Sequence, residues 1–143
     1  MHAFSLPIIM VTLEISDKNW QIPKHGVAIF GQKKSAYCLI IPVLNEGERI
    51  RSVLRKLLPF APMLDIIIAD AGSTDGSLDE EFLRETHVRT LLTKRDVGKL
   101  SAQLRTGYAY ALHEGYEGIL TIDGNDKDDV DAIPHFISLL QEG

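Results

Sequence analysis

The spacing of hydrophobic positions changes along this chain, and the changes outline alternating strands and helices. Tyr37-Cys38-Leu39-Ile40-Ile41-Pro42-Val43 is a continuous apolar run, as expected of a strand buried on both faces. Ile50, Val53, Leu54, Leu57 and Leu58 then fall on one helix face, and Pro59 and Pro62 stop that helix. Leu64 to Ala69 predicts a second buried strand. Asp75 to Glu85 predicts a short helix capped by Thr74 or Asp75, with acids in its first turns where the helix dipole favours them. Val88 to Leu92 is a third strand. Leu100, Leu104, Tyr108, Ala111 and Leu112 mark a helix ending near Gly115. Gly118 to Ile122 is a fourth strand, and Ile133, Phe136, Ile137 and Leu140 mark a last helix.

Four strand–helix units with short connections predict an α/β fold: an open, mostly parallel sheet with helices on both faces. Residues 1–36 read differently. Ile8 to Ile15 and Val27 to Phe30 are strand-like, with the turn residues Asp17, Asn19, Pro23 and Gly26 between them. They predict a small N-terminal β extension (1–36) ahead of the main domain (37–143).

Composition narrows the function classes. A chain of 143 residues, 45 % hydrophobic and 24 % charged, is one globular domain or part of a larger one. A net charge of −5 argues against nucleic-acid coating, which needs a basic face. The single cysteine, Cys38, excludes an internal disulfide and a cysteine-rich zinc site. No apolar run reaches the roughly 18 residues of a membrane span, and no basic start precedes an apolar stretch. A cytoplasmic domain is expected, and association with the inner face of a membrane is compatible with it. Five scattered histidines show no metal spacing, and no hydrolase nucleophile motif is present.

In such sheets ligands bind outside the carboxyl ends of the strands. All four ends carry polar and small residues: Pro42-Val43-Leu44-Asn45-Glu46, Asp70-Ala71-Gly72-Ser73-Thr74-Asp75, Lys94-Arg95-Asp96-Val97-Gly98-Lys99, and Asp123-Gly124-Asn125-Asp126-Lys127-Asp128-Asp129. Neither the dinucleotide glycine fingerprint nor the P-loop occurs. Asp70 either accepts from a base or ribose, or caps the turn with Ser73 and Thr74. The acidic segment from Asp123 either holds Mg²⁺ or Mn²⁺ on a diphosphate, or is a solvated loop that caps the last helix. Lys94, Arg95, Lys99 and Arg105, the basic stretch near these acids, either meet phosphate oxygens or form a solvated helix face, and at least two of the four are expected to do only the latter.

Four segments, YCLIIPVLNE, IIIADAGSTDG, GKLSAQLRTG and AYALHEGYEGILTID, resemble family 2 glycosyltransferases of the GT-A fold. The resemblance is nearest to the dolichol- or polyprenyl-phosphate mannosyltransferase type, and it covers about residues 37 to 142. There the pattern runs IP-x-x-NE, DDGSTDG, GKG-x-A-x-R-x-G and DxD. The resemblance implies a nucleotide-binding half of a glycosyltransferase, taking a UDP- or GDP-linked sugar. Pro42, Asn45 and Glu46 would line the nucleotide pocket, and Asp70 would meet the base or ribose. Gly98 and Lys99 would lie near the diphosphate. Asp123 would be the catalytic acid that places metal and donor, with Asn125 beside it as second ligand to Mg²⁺ or Mn²⁺. The acceptor would be a polyprenyl phosphate or a glycan, in cell-envelope glycan synthesis.

The chain departs from the pattern at Ala71, Leu100 and Asn125, where acid, glycine and acid are usual. Asn125 keeps an oxygen but loses a charge; Lys127 cannot ligate a metal while protonated, and Asp126 is a substitute ligand to consider. Such domains usually continue for roughly another hundred residues, so a donor half truncated at its C-terminus is expected. Apolar surface left open by truncation predicts self-association. The competing reading is a non-catalytic module of the same fold that binds a nucleotide or a partner. An unrelated receiver-like α/β domain would need an acid pair where Asn45-Glu46 stands.

Overall fold

A computed structural model describes residues 9–12, 25–94 and 100–142. Among them one sheet of six strands runs in the order β1-β6-β3-β4-β5-β2. The strands are β1 (Ile9–Thr12), β2 (His25–Ile29), β3 (Tyr37–Val43), β4 (Asp65–Asp70), β5 (Val88–Lys94) and β6 (Gly118–Thr121). The central four are parallel. β1 and β2 pair antiparallel to β6 and β5 at the two edges. The two N-terminal strands therefore extend the main sheet on opposite sides. The rest of the predicted Ile8 to Ile15 strand lies outside the described residues.

Side-chain alternation along the strands sorts the core into two layers. Leu39, Ile41 and Val43 of β3 and Ile66 and Ile68 of β4 face α1 (Glu48–Leu57), α2 (Glu80–Glu85) and α4 (Ile133–Gln141). Cys38, Ile40, Ile67, Ala69 and Leu92 face α3 (Leu100–His113). The open parallel sheet with helices on both faces is thus observed. Helix α1 buries Ile50, Val53, Leu54 and Leu57, as its spacing predicts. Leu58 is exposed instead, because Pro59 turns the chain into a single 3₁₀ turn there.

Two helices differ from their sequence reading. α2 begins at Glu80, with Asp79 as its cap accepting from the Phe82 amide. Asp75 is occupied elsewhere: it accepts from the Ser77 amide and hydroxyl and from Gly47 across the loop. In α3 the stripe Leu104-Tyr108-Leu112 is only half-buried. The sheet is met by the smaller face of Ala102, Gln103, Thr106, Gly107 and Ala111, all buried. A Cβ on Gly107 would stand 2.8 Å from Ile40 Cγ2, so glycine lets α3 lie close on β3.

At the amino ends of the parallel strands sits a buried polar cluster. Arg89 pairs with Glu114 at 2.5 Å and donates to the Tyr116 hydroxyl at 2.9 Å. Tyr116 donates to Asp65 Oδ2 at 2.7 Å, and the Lys34 and Ser35 amides donate to that same oxygen. One carboxylate so ties the segment before β3 to the start of β4. Burial pushes the Tyr116 hydroxyl and the Cys38 thiol well up, and nearby Asp65 adds to both.

Two predictions follow from this packing. Gly107→Ala costs about 1–3 kcal/mol and lowers the melting temperature, as overpacking does. Gly31→Ala, where a Cβ meets nothing within 4 Å, leaves the temperature unchanged. The Arg89 hydrogen bond holds the Glu114 carboxyl below the usual carboxylate range. Its stabilisation is therefore complete above the unfolded value of about 4.3 and is lost as pH falls through the lower folded value. Glu114→Gln is less stable at neutral pH in urea melts, and its stability declines less below about pH 4.3 than that of the unmodified protein.

Candidate active site

The strand order reverses at β3: β4 and β5 lie to one side, β6 to the other. At such a switch point the loops leaving neighbouring strands diverge and open a crevice. A cavity of about 160 Å³ lies there, lined by Pro42, Val43, Leu44, Glu46, Gln103 and Asp123. Three of the residues expected at the site, Pro42, Glu46 and Asp123, are thus brought together from the ends of β3 and β6. Gly98 and Lys99 lie outside the described residues, as does Arg95.

Asn45 and Asp70 stand beside the cavity in a lattice of loop hydrogen bonds. Asp70 Oδ1 accepts from the Ser73 amide at 2.9 Å and hydroxyl at 2.7 Å. The Ser73 hydroxyl oxygen accepts from the Asn45 amide at 2.9 Å. Asn45 Oδ1 accepts from the Thr74 amide at 2.8 Å, and Gly47 donates to Asp75 Oδ2 at 3.0 Å. The loops after β3 and β4 are therefore fastened side chain to backbone in both directions. Asn45 has φ 47°, a left-handed conformation that asparagine tolerates better than most residues. Asp70 is buried and does cap its turn; its second oxygen is not needed for that bond.

The acidic loop after β6 is a run of Asx turns. Asp123 Oδ1 accepts from the Asn125 amide, and Asn125 Oδ1 accepts from the Lys127 amide, each at 3.1 Å. Asp128 Oδ2 accepts from the Asp123 amide at 3.0 Å. Asp126, the substitute ligand considered, is paired through one oxygen with Lys56 at 2.9 Å. Asp129 accepts from Asp131 and caps the 3₁₀ turn before α4. Gly124 is needed for close approach: a Cβ there would lie 3.2 Å from Val43 Cγ2 and 3.4 Å from Ile50 Cδ1.

Burial raises the Asp123 carboxyl, and the negative charge of Asp128 raises it further; Lys127 and Arg49 work in the opposite direction. Burial likewise raises Asp128. Glu46 is held by Arg49 at 2.9 Å. The crevice is thus rich in acceptor oxygens. It suits a ligand that brings hydroxyls or N–H groups, together with a cation that offsets the buried charge. Oxygen-only donors fit Mg²⁺ or Mn²⁺. Among the described residues no group of three or more His, Cys, Asp or Glu could hold a metal. Such a cation would therefore take most of its shell from water and ligand phosphate, as Mg²⁺ commonly does.

Gln103 escaped the sequence reading. A glutamine inside a helix reads as a solvent-facing residue, yet this one is 8 % exposed and lines the cavity. The signal for it was the small-residue face formed by Ala102, Thr106, Gly107 and Ala111, which marks the side of the helix that approaches the sheet.

Among the described residues no helix is long and apolar enough to cross a membrane. No curated protein and no solved structure matches the chain significantly. The profile of Glycosyl transferase family 2 matches residues 38–143, well over half of the chain and all four strand-end segments of the parallel sheet. The chain therefore belongs to the family 2 glycosyltransferases, with the glycosyl transfer, nucleotide-sugar donor and acceptor that membership implies.

Proposed function

We propose that the switch-point crevice is the donor site for transfer of a sugar from a UDP- or GDP-linked donor, by in-line displacement with inversion. The observation that carries this reading is the meeting of Pro42, Glu46 and Asp123 in one cavity, from two strand ends on either side of the reversal. The acceptor oxygen forms a bond to the anomeric carbon. The bond from that carbon to the phosphate oxygen breaks, and its electron pair leaves with the nucleoside diphosphate.

Each residue contributes through its place. Asp70, fixed by Ser73 through one oxygen, accepts with the other from the base or a ribose hydroxyl. Asn45 keeps the adjoining loop in the shape that brings Glu46 and Leu44 to the cavity wall. Asp123 would hold Mg²⁺ or Mn²⁺; the ion would neutralise charge that develops on the departing diphosphate. Asn125, the other expected ligand, has its only carboxamide oxygen turned to the Lys127 amide, so it shapes the loop in this state. Gly98 and Lys99 are assigned to the diphosphate on the family pattern alone. The acceptor is a polyprenyl phosphate, already an anion that needs little help from a base, or a glycan hydroxyl, whose proton a general base would take.

A non-catalytic nucleotide-binding module is the second reading. Ala71 in place of the second acid, and an Asn125 oxygen engaged within its own loop, favour it.

Calorimetric titration with UDP and GDP, each with Mn²⁺ and with EDTA, tests the proposal. One nucleotide binds, and EDTA or Asp123→Ala weakens it by at least about tenfold, which is 1.4 kcal/mol. Asp70→Asn also weakens it by about tenfold or more, because a hydrogen bond to a charged acceptor contributes about 1.5–3 kcal/mol. Binding that ignores both metal and Asp123 supports the module instead. No binding of either nucleotide by folded protein contradicts the donor site.

A further inference from the structure

Among the described residues Gln103 is the one cavity-lining residue supplied by α3, from the opposite face of the sheet to α1. Its carboxamide nitrogen donates to Val43 O at 3.2 Å and to Ala69 O at 3.0 Å. Those carbonyls belong to β3 and β4, at the place where the two strands release the loops of the site. The orientation of the amide is decided by its partners: both are acceptors, so the NH₂ group must face them. Val43 O also accepts from the Ala71 amide at 2.9 Å, so its two lone pairs are filled by the next loop and by the helix.

We infer that Gln103 is a positioning residue of the donor site: a carboxamide clip that holds the carboxyl ends of β3 and β4 at fixed spacing. The inference rests on the donor-site reading and adds a residue to it. Beyond Val43 the chain continues into Leu44, Asn45 and Glu46; beyond Ala69 it continues into Asp70. Every donor-binding group proposed on these two strands is one to three residues from a carbonyl that Gln103 holds. The Asn45–Ser73 and Gly47–Asp75 bonds fasten the loops to each other, and the clip fastens their roots to α3. With both N–H groups committed, the hydrogen-bonding capacity left on the side chain is the acceptor Oε1, on a residue that lines the cavity.

Two variants test the clip. Gln103→Met keeps the side-chain length and removes both donors. Gln103→Asn keeps the amide and withdraws it by one methylene, and it carries the test where the methionine variant does not fold. Thr106→Val is the comparison: it removes a buried hydroxyl bonded to Ala102 O in the same helix, away from the cavity lining. UDP and GDP affinities are measured well below each melting temperature, with backbone amide exchange followed at Ala71. The clip predicts at least about tenfold weaker nucleotide binding and faster Ala71 exchange in the Gln103 variants, with affinity unchanged in Thr106→Val. Equal affinities in the unmodified protein and the Gln103 variants overturn the clip and leave the donor site standing. Weakening of the same size in Thr106→Val also overturns it, because general loosening then explains the effect. An unmodified protein that binds neither nucleotide overturns the donor site and the clip together; unchanged Ala71 exchange overturns the clip alone.

Discussion

The parallel pairing of β3 with β4, from Cys38 opposite Asp65 to Val43 opposite Asp70, is the constraint on which the rest depends. Strands locked in that register end side by side. Their loops must leave together, and each carries backbone N–H groups that the ladder no longer satisfies. Asn45, Ser73 and Asp75 supply those partners, each loop completing the other. The result is a rigid rim built from short polar side chains, with Asp70 fixed at its base and Glu46 at the cavity wall. A one-residue slip in register would exchange the faces of every side chain on the strand and part these groups.

The two ends of the sheet are built for different work. At the amino ends Asp65, Tyr116, Arg89 and Glu114 form a chain of hydrogen bonds, buried or nearly so, that leaves Asp65 Oδ1 and Arg89 Nε without a partner. At the carboxyl ends several carboxyls are held near one another, and burial pushes Asp123 and Asp128 toward the protonated form. Such an arrangement costs stability in the free protein, and a bound cation and donor would relieve it.

The strands were legible because fully buried parallel strands are continuous apolar runs, as in Tyr37 to Val43 and Ile66 to Ala69. Helix α1 was legible because its spacing is regular and proline ends it. What misled was long-range. Asp75 resembles a cap by local sequence, but Gly47, distant in the chain, shares it with Ser77, and the helix waits for Asp79. Strand character was visible from Val27 to Phe30, although β2 runs His25–Ile29 and takes in Gly26, which reads locally as a turn residue; its pairing at the far edge from β1 was not visible, because nothing local encodes which edge a strand joins. In α3 the hydrophobic stripe was only partly right: Ala111 is buried against the sheet and Tyr108 packs beside it, but close approach to β3 selects small residues, so Leu104 and Leu112 stay half-buried. Pro42, Glu46 and Asp123 were identified through family motifs, and their meeting in one cavity follows from the topology. Asp70 and Asn45 turned out to fasten the loops, a role that sequence left open for Asp70 and did not reveal for Asn45.

On the proposed function, a nucleotide binds at the carboxyl ends of β3, β4 and β6. Backbone amide NMR during titration with UDP and with GDP in Mg²⁺ tests it most directly. Shifts are expected at Leu44 to Gly47, Ala71 to Thr74, Gln103 and Asp123 to Asn125, with the Lys34–Ser35 and Glu114–Tyr116 segments unmoved. Shifts confined to the amino ends, or none with either nucleotide, would contradict it.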